Sequence, residues 1–219
     1  MNVYFISGLG VDERIFNSIH LPEPFRMKFI QWIDPSPEDN ITSYSKKLIL
    51  QIDQSIPFSL VGLSFGGMIA AEISNLIPVK KTILISSALS SKQFPWYFRA
   101  IKFFRFHKIA PLKTIRKADR ILYWVMGIKT PAQKIFFNSI HNKANYKFVK
   151  WATREILNWK RTSNTIKIAQ IHGTGDKIFP IKNIQPAYQI EGAGHFMIFN
   201  NAEMVTNYLI EELSRTCES

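Results

Sequence analysis

The sequence predicts an α/β protein, with a mostly parallel sheet of about six strands flanked by helices. Apolar runs of strand length alternate with stretches of helical periodicity, which is the pattern of successive βαβ units. The chain has 219 residues, of which 46% are hydrophobic and 20% charged, and this suits one domain with a substantial core. The single cysteine, Cys217, excludes an internal disulfide.

Four strands are predicted in the first 88 residues, with helices between them. The strands are "NVYFIS" (2–7), "MKFIQWI" (27–33), "FSLVGL" (58–63) and "KTILISS" (81–87). A short helix is expected over 14–19, and another follows Asn40, a residue type that favours the N-cap position. A third helix is expected over 65–76. Strands separated in this way by helical connections pair in parallel.

The last quarter of the chain repeats this alternation. The apolar runs "IKIAQI" (166–171) and "AYQI" (187–190) are typical of buried strands. A closing helix is indicated by apolar residues at helical spacing, which are Met204, Val205, Tyr208, Leu209 and Leu213. The predicted sheet is then complete at six strands.

The segment "GLSFGG" (62–67) lies at the junction between a buried strand and a helix. A sharp turn at such a junction requires very small neighbours, and the glycines at 62 and 66 meet that need. The turn exposes the hydroxyl of Ser64 at the carboxyl edge of the sheet, beside the positive end of a helix. This G-x-S-x-G pattern predicts that Ser64 is a nucleophile.

A serine hydroxyl needs a base within hydrogen-bond reach and a third group to orient that base. His195 lies in "GAGHF", a glycine-rich turn after the last strand, and Asp176 lies in "GTGDKIFP", directly after the strand before it. We therefore expect His195 to be the base and Asp176 to orient it. The order Ser64, Asp176, His195 also agrees with a nucleophile elbow followed by two later strand-end loops.

The remaining histidines have no comparable setting in the sequence. Three of them, His20, His107 and His141, are expected at the surface or at helix caps. His172 ends a predicted strand and is expected to be packed there.

These motifs resemble those of the α/β-hydrolase superfamily. The matching segments are "SGLG" (7–10), "GLSFGG" (62–67), "GTGDKIFP" (173–180) and "GAGHF" (192–196), which together span nearly the whole chain. The resemblance implies that the backbone N–H groups of Leu9 and Phe65 form the oxyanion hole. It also implies a hydrolase core over 1–88 and 161–219, with a helical cap inserted over 89–160. No metal or organic cofactor is expected, because the triad and the oxyanion donors supply nucleophile, base and electrostatic stabilisation.

The predicted cap carries the positive charge of the chain. Residues 89–160 contain sixteen lysines and arginines but only Asp119 and Glu155, whereas the whole chain has a net charge of +12. Aromatic residues alternate with these cations in "FPWYFRAIKFFRF" (94–106). A solvated basic face over an apolar pocket accounts for this pattern. The alternatives are steering of an anionic or carrier-bound substrate, weak contact with an anionic membrane surface, and nucleic-acid binding, which no recognisable module supports.

The function predicted from the sequence is a serine hydrolase that cleaves a carboxylic ester or thioester, with an acyl-enzyme on Ser64. Carbon–carbon bond hydrolysis or a cofactor-free lyase reaction on the same fold remains an alternative, as does a ligand-binding or receptor protein without turnover. The N-terminal residues lack the features of a signal peptide, and no apolar run approaches membrane-spanning length. The expected location is therefore cytoplasmic.

Overall fold

The protein is built around one six-stranded parallel sheet. The computed structural model describes residues 1–103, 119–141, 145–161 and 168–215. The strands are β1 (Asn2–Ile6), β2 (Arg26–Ile30), β3 (Phe58–Leu63), β4 (Lys81–Ile85), β5 (Ile168–Gly173) and β6 (Tyr188–Ile190). Their order across the sheet is β2-β1-β3-β4-β5-β6, and every neighbouring pair is parallel. The predicted fold class is confirmed.

Helices connect the strands and cover both faces of the sheet. They are α1 (Ile41–Ile49), α2 (Phe65–Leu76), α3 (Trp96–Phe103), α4 (Asp119–Met126), α5 (Pro131–His141), α6 (Tyr146–Asn158), α7 (Met197–Asn200) and α8 (Ala202–Ser214). Short 3-10 turns cover Glu13–Phe16, Ser91–Gln93 and Ile181–Asn183. None of the described helices combines the length and the apolar character that a bilayer span requires.

The α1 helix begins where the sequence predicts, because Asn40 forms a capping box. Its side chain accepts hydrogen bonds from the amides of Thr42 and Ser43, while the Ser43 hydroxyl accepts one from the Asn40 amide. Amides that have no partner within the helix are thereby satisfied.

β3 has its predicted bounds, and the other five strands differ from theirs at one or both ends, most of all at the end of β2. β2 ends at Ile30 rather than at residue 33, because side chains bond the backbone groups that follow. The Gln51 amide bonds both backbone groups of Gln31, and the Tyr44 hydroxyl does the same at Ile33. β5 extends to Gly173, beyond its predicted end at residue 171. The first two residues of the predicted fifth strand, 166 and 167, lie outside the described residues. Cys217 and His107 also lie outside them.

The core consists of two layers, one on each face of the sheet. Alternate residues of β1 enter opposite layers: Tyr4 and Ile6 pack with α1 and α2, whereas Val3 and Phe5 pack against α7 and α8. This follows from the two-residue period of a strand. The central strand β3 is buried along its whole length.

The carboxyl ends of β1 and β3 meet where the strand order reverses. β1 lies between β2 and β3, and Ile6 is in register with Gly62. In open α/β sheets, ligands bind at this kind of switch point. The first turn of α2 approaches the end of β1 so closely that a Cβ on Gly66 would collide with the carbonyl oxygens of Ile6 and Ser7.

This close approach makes Gly66 intolerant of a side chain. We expect Gly66→Ala to lower the free energy of unfolding by about 2 to 3 kcal/mol, because backbone atoms must move to accept the methyl group. Denaturant titration measures the loss. Gly8→Ala is the matched control, since its added Cβ would meet other atoms only at ordinary contact distances of 3.5 Å or more. Equal stability of the two variants would contradict the prediction.

Candidate active site

Ser64 occupies a strained turn between β3 and α2. Its backbone has φ 52° and ψ −117°, a conformation that costs energy for any residue with a side chain. Its amide donates to Ile85, and its carbonyl accepts a bond of 2.6 Å from the Ser87 hydroxyl, which fixes the turn to β4. The Ser64 hydroxyl makes no capping bond to α2. It lies 2.9 Å from Nε2 of His195 instead.

His195 lies in the loop between β6 and α7, and its ring is buried. Its Nδ1 is 2.8 Å from Oδ2 of Asp176. A carboxylate only accepts hydrogen bonds, so Nδ1 carries the proton. In the neutral ring, Nε2 then presents a lone pair to the Ser64 hydroxyl.

Asp176 is buried at the end of β5 and is held by several donors. Its Oδ1 accepts the amides of Ile178 and Phe179 at 2.8 and 2.9 Å. Burial by itself would raise the pKa of this carboxyl. The charge and hydrogen bond of His195, with contributions from His172 and the Phe179 amide, outweigh burial, and the pKa is lowered. Asp176 is therefore an ionised, oriented partner for the imidazole.

His172 is completely buried in β5, as expected for a packed strand-end residue. Its Nε2 donates to the carbonyl of Phe179 at 2.7 Å and lies 3.5 Å from Oδ2 of Asp176. Burial lowers the pKa of this ring more than the neighbouring carboxylate raises it. A neutral His172 thus fixes the loop that presents Asp176, without competing for the carboxylate as a second cation.

The two expected oxyanion donors flank Ser64. Leu9 follows the end of β1, and Phe65 is the first residue of α2, where an amide has no partner within the helix. Among the described residues, neither amide donates a hydrogen bond to the protein. The Ser7 hydroxyl donates to the carbonyl of Val11 at 2.9 Å and closes the loop that carries Leu9.

An apolar cavity of about 360 Å³ opens above Ser64 and His195. The sheet edge supplies its floor, and α4, α5 and α6 supply walls through Leu122, Phe137 and Val149. Among the described residues, no lysine, arginine, aspartate or glutamate lines it. The described lysines and arginines of residues 89–160 therefore do not face this cavity.

His141 was expected at the surface or at a helix cap; it is the last residue of α5, and its ring also lies in the cavity wall. Its Nδ1 donates to the carbonyl of Gly10 at 3.2 Å, and its ring stacks on Phe137 with centroids 5.0 Å apart. It thereby joins α5 to the loop after β1. Phe137 and His141 are four residues apart and so lie on one face of α5, and this spacing was a sequence signal for the contact between their rings. His20, in contrast, is exposed as expected.

The described residues contain no group of three or more histidine, cysteine, aspartate or glutamate side chains arranged to hold a metal ion. Among the described residues, the polar side chains that line the cavity are those of Ser64, His141, Thr153 and His195. These can donate or accept hydrogen bonds and transfer a proton. The arrangement is suited to nucleophilic attack by a serine.

Solved structures of hydrolases and esterases are similar to this chain over nearly its full length. A hydrolase from Oleispira antarctica has a TM-score of 0.75 and 14% identity, covering 99% of this chain and 92% of its own. MenH from S. aureus has a TM-score of 0.74 and 17% identity, covering 97% and 93%. A thermophilic esterase from Thermogutta terrifontis has a TM-score of 0.73 and 15% identity, covering 97% and 89%.

No protein-family model matches the sequence, and no curated protein matches it significantly. At such low identities the structural similarity shows the fold alone. The chain has the α/β-hydrolase fold, as its motifs predict.

The ionised Asp176 should stabilise the folded protein, because its pKa is lower in the folded chain than in the unfolded one. This stabilisation is complete above the ordinary aspartate pKa of about 3.9 and is lost as the pH falls through the lower folded value. We expect Asp176→Asn to be less stable than the wild type at neutral pH, with a gap that narrows below about pH 4. Denaturant titrations at a series of pH values measure this gap.

The control for this series is Glu191→Gln, which removes an exposed carboxylate. It should leave stability nearly unchanged at every pH. A gap for Asp176→Asn that stays constant from neutral to acid pH would show that its charge contributes nothing.

Proposed function

We propose that this protein is a serine hydrolase that cleaves a carboxylic ester or thioester through an acyl-enzyme on Ser64. The observation that carries this proposal is the continuous hydrogen-bonded chain from the Ser64 hydroxyl through His195 to Asp176. This chain ends at the floor of an apolar cavity, where a substrate carbonyl can reach the hydroxyl. The fold shared with solved structures of a hydrolase and an esterase is compatible with this proposal.

In the first step, Oγ of Ser64 attacks the carbonyl carbon while Nε2 of His195 accepts the hydroxyl proton. The new C–O bond produces a tetrahedral oxyanion and an imidazolium. The buried carboxylate of Asp176 stabilises that imidazolium and holds the ring in the reactive tautomer. The bond to the leaving alcohol or thiol then breaks, and Nε2 returns the proton to it.

The oxyanion is stabilised by the amides of Leu9 and Phe65. Both belong to backbone fixed before the substrate arrives, so no reorganisation is needed as negative charge develops. Such donors each contribute a factor of about 10² to 10³ to the rate. The positive end of α2 adds to this stabilisation at the same position.

Water completes the reaction by the same route. His195 removes a proton from the water as its oxygen attacks the acyl carbon, and the Ser64 ester bond breaks. The proton passes to Oγ of Ser64, and the carboxylic acid leaves. Nucleophile, base and electrostatic stabilisation all come from residues of this chain.

Replacing the nucleophile tests the proposal directly. We expect Ser64→Ala to lower kcat/KM for short p-nitrophenyl esters by at least about 10³-fold, because oxyanion stabilisation and binding alone leave only residual catalysis. Circular dichroism checks that the variant is folded, and Ser18→Ala, which alters an exposed serine, is the matched control. Unchanged turnover in Ser64→Ala would refute the nucleophile assignment.

A fluorophosphonate probe separates an enzyme from a binding protein that has lost turnover. The wild type should be labelled at Ser64, because only an activated hydroxyl displaces the fluoride. A labelled protein that hydrolyses no ester or thioester, but cleaves a vinylogous diketone, would establish carbon–carbon bond hydrolysis instead.

The apolar cavity predicts a preference for apolar acyl groups. Each buried methylene contributes about 0.8 kcal/mol, so kcat/KM should rise about fourfold per CH₂ until the cavity is full, and then fall. Val149→Phe adds volume to the α6 wall and should move the optimum to a shorter chain. The control is Val125→Phe, the same change on α4 at a residue outside the cavity lining. A flat dependence on chain length in the wild type would contradict the assignment of this cavity to the acyl group.

A further inference from the structure

We propose that a second, basic pocket beside the active-site cavity binds a phosphate group carried by the leaving thiol or alcohol of the substrate. This inference rests on the hydrolase function proposed above and specifies its substrate class. The basic pocket has a volume of about 240 Å³. It is lined chiefly by four cations and two aromatic rings, which are Arg120, Lys129, Lys134, Lys177, Tyr123 and Trp124.

The four cations form no ion pairs with the acidic side chains that the structure describes. Among the described residues, none of them forms a salt bridge, and no aspartate or glutamate lines the pocket. Four like charges around one small volume repel one another, and this raises the local attraction for an anion. A bound anion would remove that repulsion.

The aromatic rings hold two of these cations in place. Nζ of Lys177 lies 3.6 Å from the centroid of the Trp124 ring and donates to the Trp124 carbonyl at 3.2 Å. Nζ of Lys134 lies 5.6 Å from the centroid of the Tyr123 ring. Cation–π contacts of this kind restrict lysine side chains that would otherwise move freely in solvent. Two of the four exposed cations of this pocket are therefore positioned by aromatic rings.

The basic pocket and the active-site cavity share a wall. Leu122 and Met126, on one face of α4, line the cavity, whereas Tyr123 and Gly127 line the basic pocket. Neighbouring residues of the loop after Asp176 also line different pockets: Lys177 lines the basic pocket, and Ile178 lines the cavity.

The end of α4 also contacts the loop that carries His195. The Phe196 amide donates to the Met126 carbonyl at 2.9 Å. A Cβ placed on Gly127 would lie 3.1 Å from the Cα of Gly194. These contacts close the wall between the two pockets at this end of α4, so a leaving group attached at Ser64 would leave the cavity by its mouth and pass over the outside of α4 to place its phosphate in the basic pocket.

Phosphate fits this pocket by charge. It carries up to two negative charges and several acceptor oxygens, and both lysine ammonium and arginine guanidinium groups donate hydrogen bonds to such oxygens. No charged side chain among the described residues lines the acyl cavity, so it would hold the acyl group while the basic pocket holds the phosphate. A thioester of a phosphate-bearing thiol has both parts.

The experiment compares three thioesters with one acyl group, attached to pantetheine, 4′-phosphopantetheine or coenzyme A. The first has no phosphate, the second has one, and the third has more. We expect kcat/KM to be at least about tenfold higher for the phosphate-bearing substrates, mainly through KM, with the advantage falling as salt is added. A gain with 4′-phosphopantetheine indicates recognition of that phosphate, and a gain with coenzyme A alone indicates its nucleotide phosphates.

Charge reversal locates the effect. In the double variant Arg120→Glu/Lys134→Glu, the ratio of kcat/KM for the phosphate-bearing thioester to that for acyl-pantetheine should fall about tenfold. The matched control, Lys147→Glu/Lys150→Glu, makes the same charge change at exposed positions of α6 and should leave the ratio unchanged. Lys177 is left unchanged in the double variant because it is the next residue in the chain after Asp176. An equal fall in both double variants would overturn the pocket, as would equal rates on all three wild-type substrates.

Binding measured without turnover distinguishes failure of this inference from failure of the proposed hydrolase. Ser64→Ala should bind coenzyme A in calorimetry, and inorganic pyrophosphate should compete with it. The Arg120→Glu/Lys134→Glu changes in that background should weaken binding about tenfold. If coenzyme A binds but the wild type hydrolyses no substrate, the proposed hydrolase function is refuted and the phosphate-binding pocket is supported. If the wild type hydrolyses acyl-pantetheine but coenzyme A does not bind, the pocket is refuted and the hydrolase function is supported.

Discussion

The arrangement of the site depends on one close backbone contact, between the first turn of α2 and the end of β1. Gly66 meets the carbonyl oxygens of Ile6 and Ser7 with no room for a Cβ. This contact brings the strained turn of Ser64 beside the loop that carries Leu9. If the helix stood further from the strand, the Ser64 hydroxyl and the two amides proposed as oxyanion donors would lie too far apart to act on one carbonyl group. Packing on β3, which is buried along its whole length, offsets the strain of this turn.

The site is also joined to the helices above it. α4 ends against the His195 loop through the bond from Phe196 to Met126, and α5 contacts the loop after β1 through His141. α6 is attached more deeply, since Trp151 packs on Tyr44 with ring centroids 4.4 Å apart and donates to the Asp39 carbonyl. These helices form walls of the cavity and at the same time hold the loops beneath it. Changes in the walls are therefore expected to affect rate as well as substrate selection.

Charge and apolar surface are separated across a single helix. One face of α4 presents Leu122 to the uncharged cavity, and another presents Arg120 and Tyr123 to the basic pocket. A helix can do this because residues one position apart point about 100° from each other. The proposed substrate, an apolar acyl group joined to an anionic leaving group, requires two such separate environments.

Local sequence signals determined much of this protein: the alternation of strands and helices, the Asn40 cap, and the glycines that mark Ser64, Asp176 and His195 as turn residues at strand ends. In a parallel sheet those ends share one edge, so their proximity could be predicted. Tertiary structure alone decided the early end of β2, where the side chains of Gln51 and Tyr44 take the backbone bonds, and the position of His141 in the cavity wall. It also brought the cations of α4, of α5 and of the loop that contains Asp176 together around the basic pocket. Such contacts join residues far apart in the chain, and their energies depend on distances that no local pattern encodes.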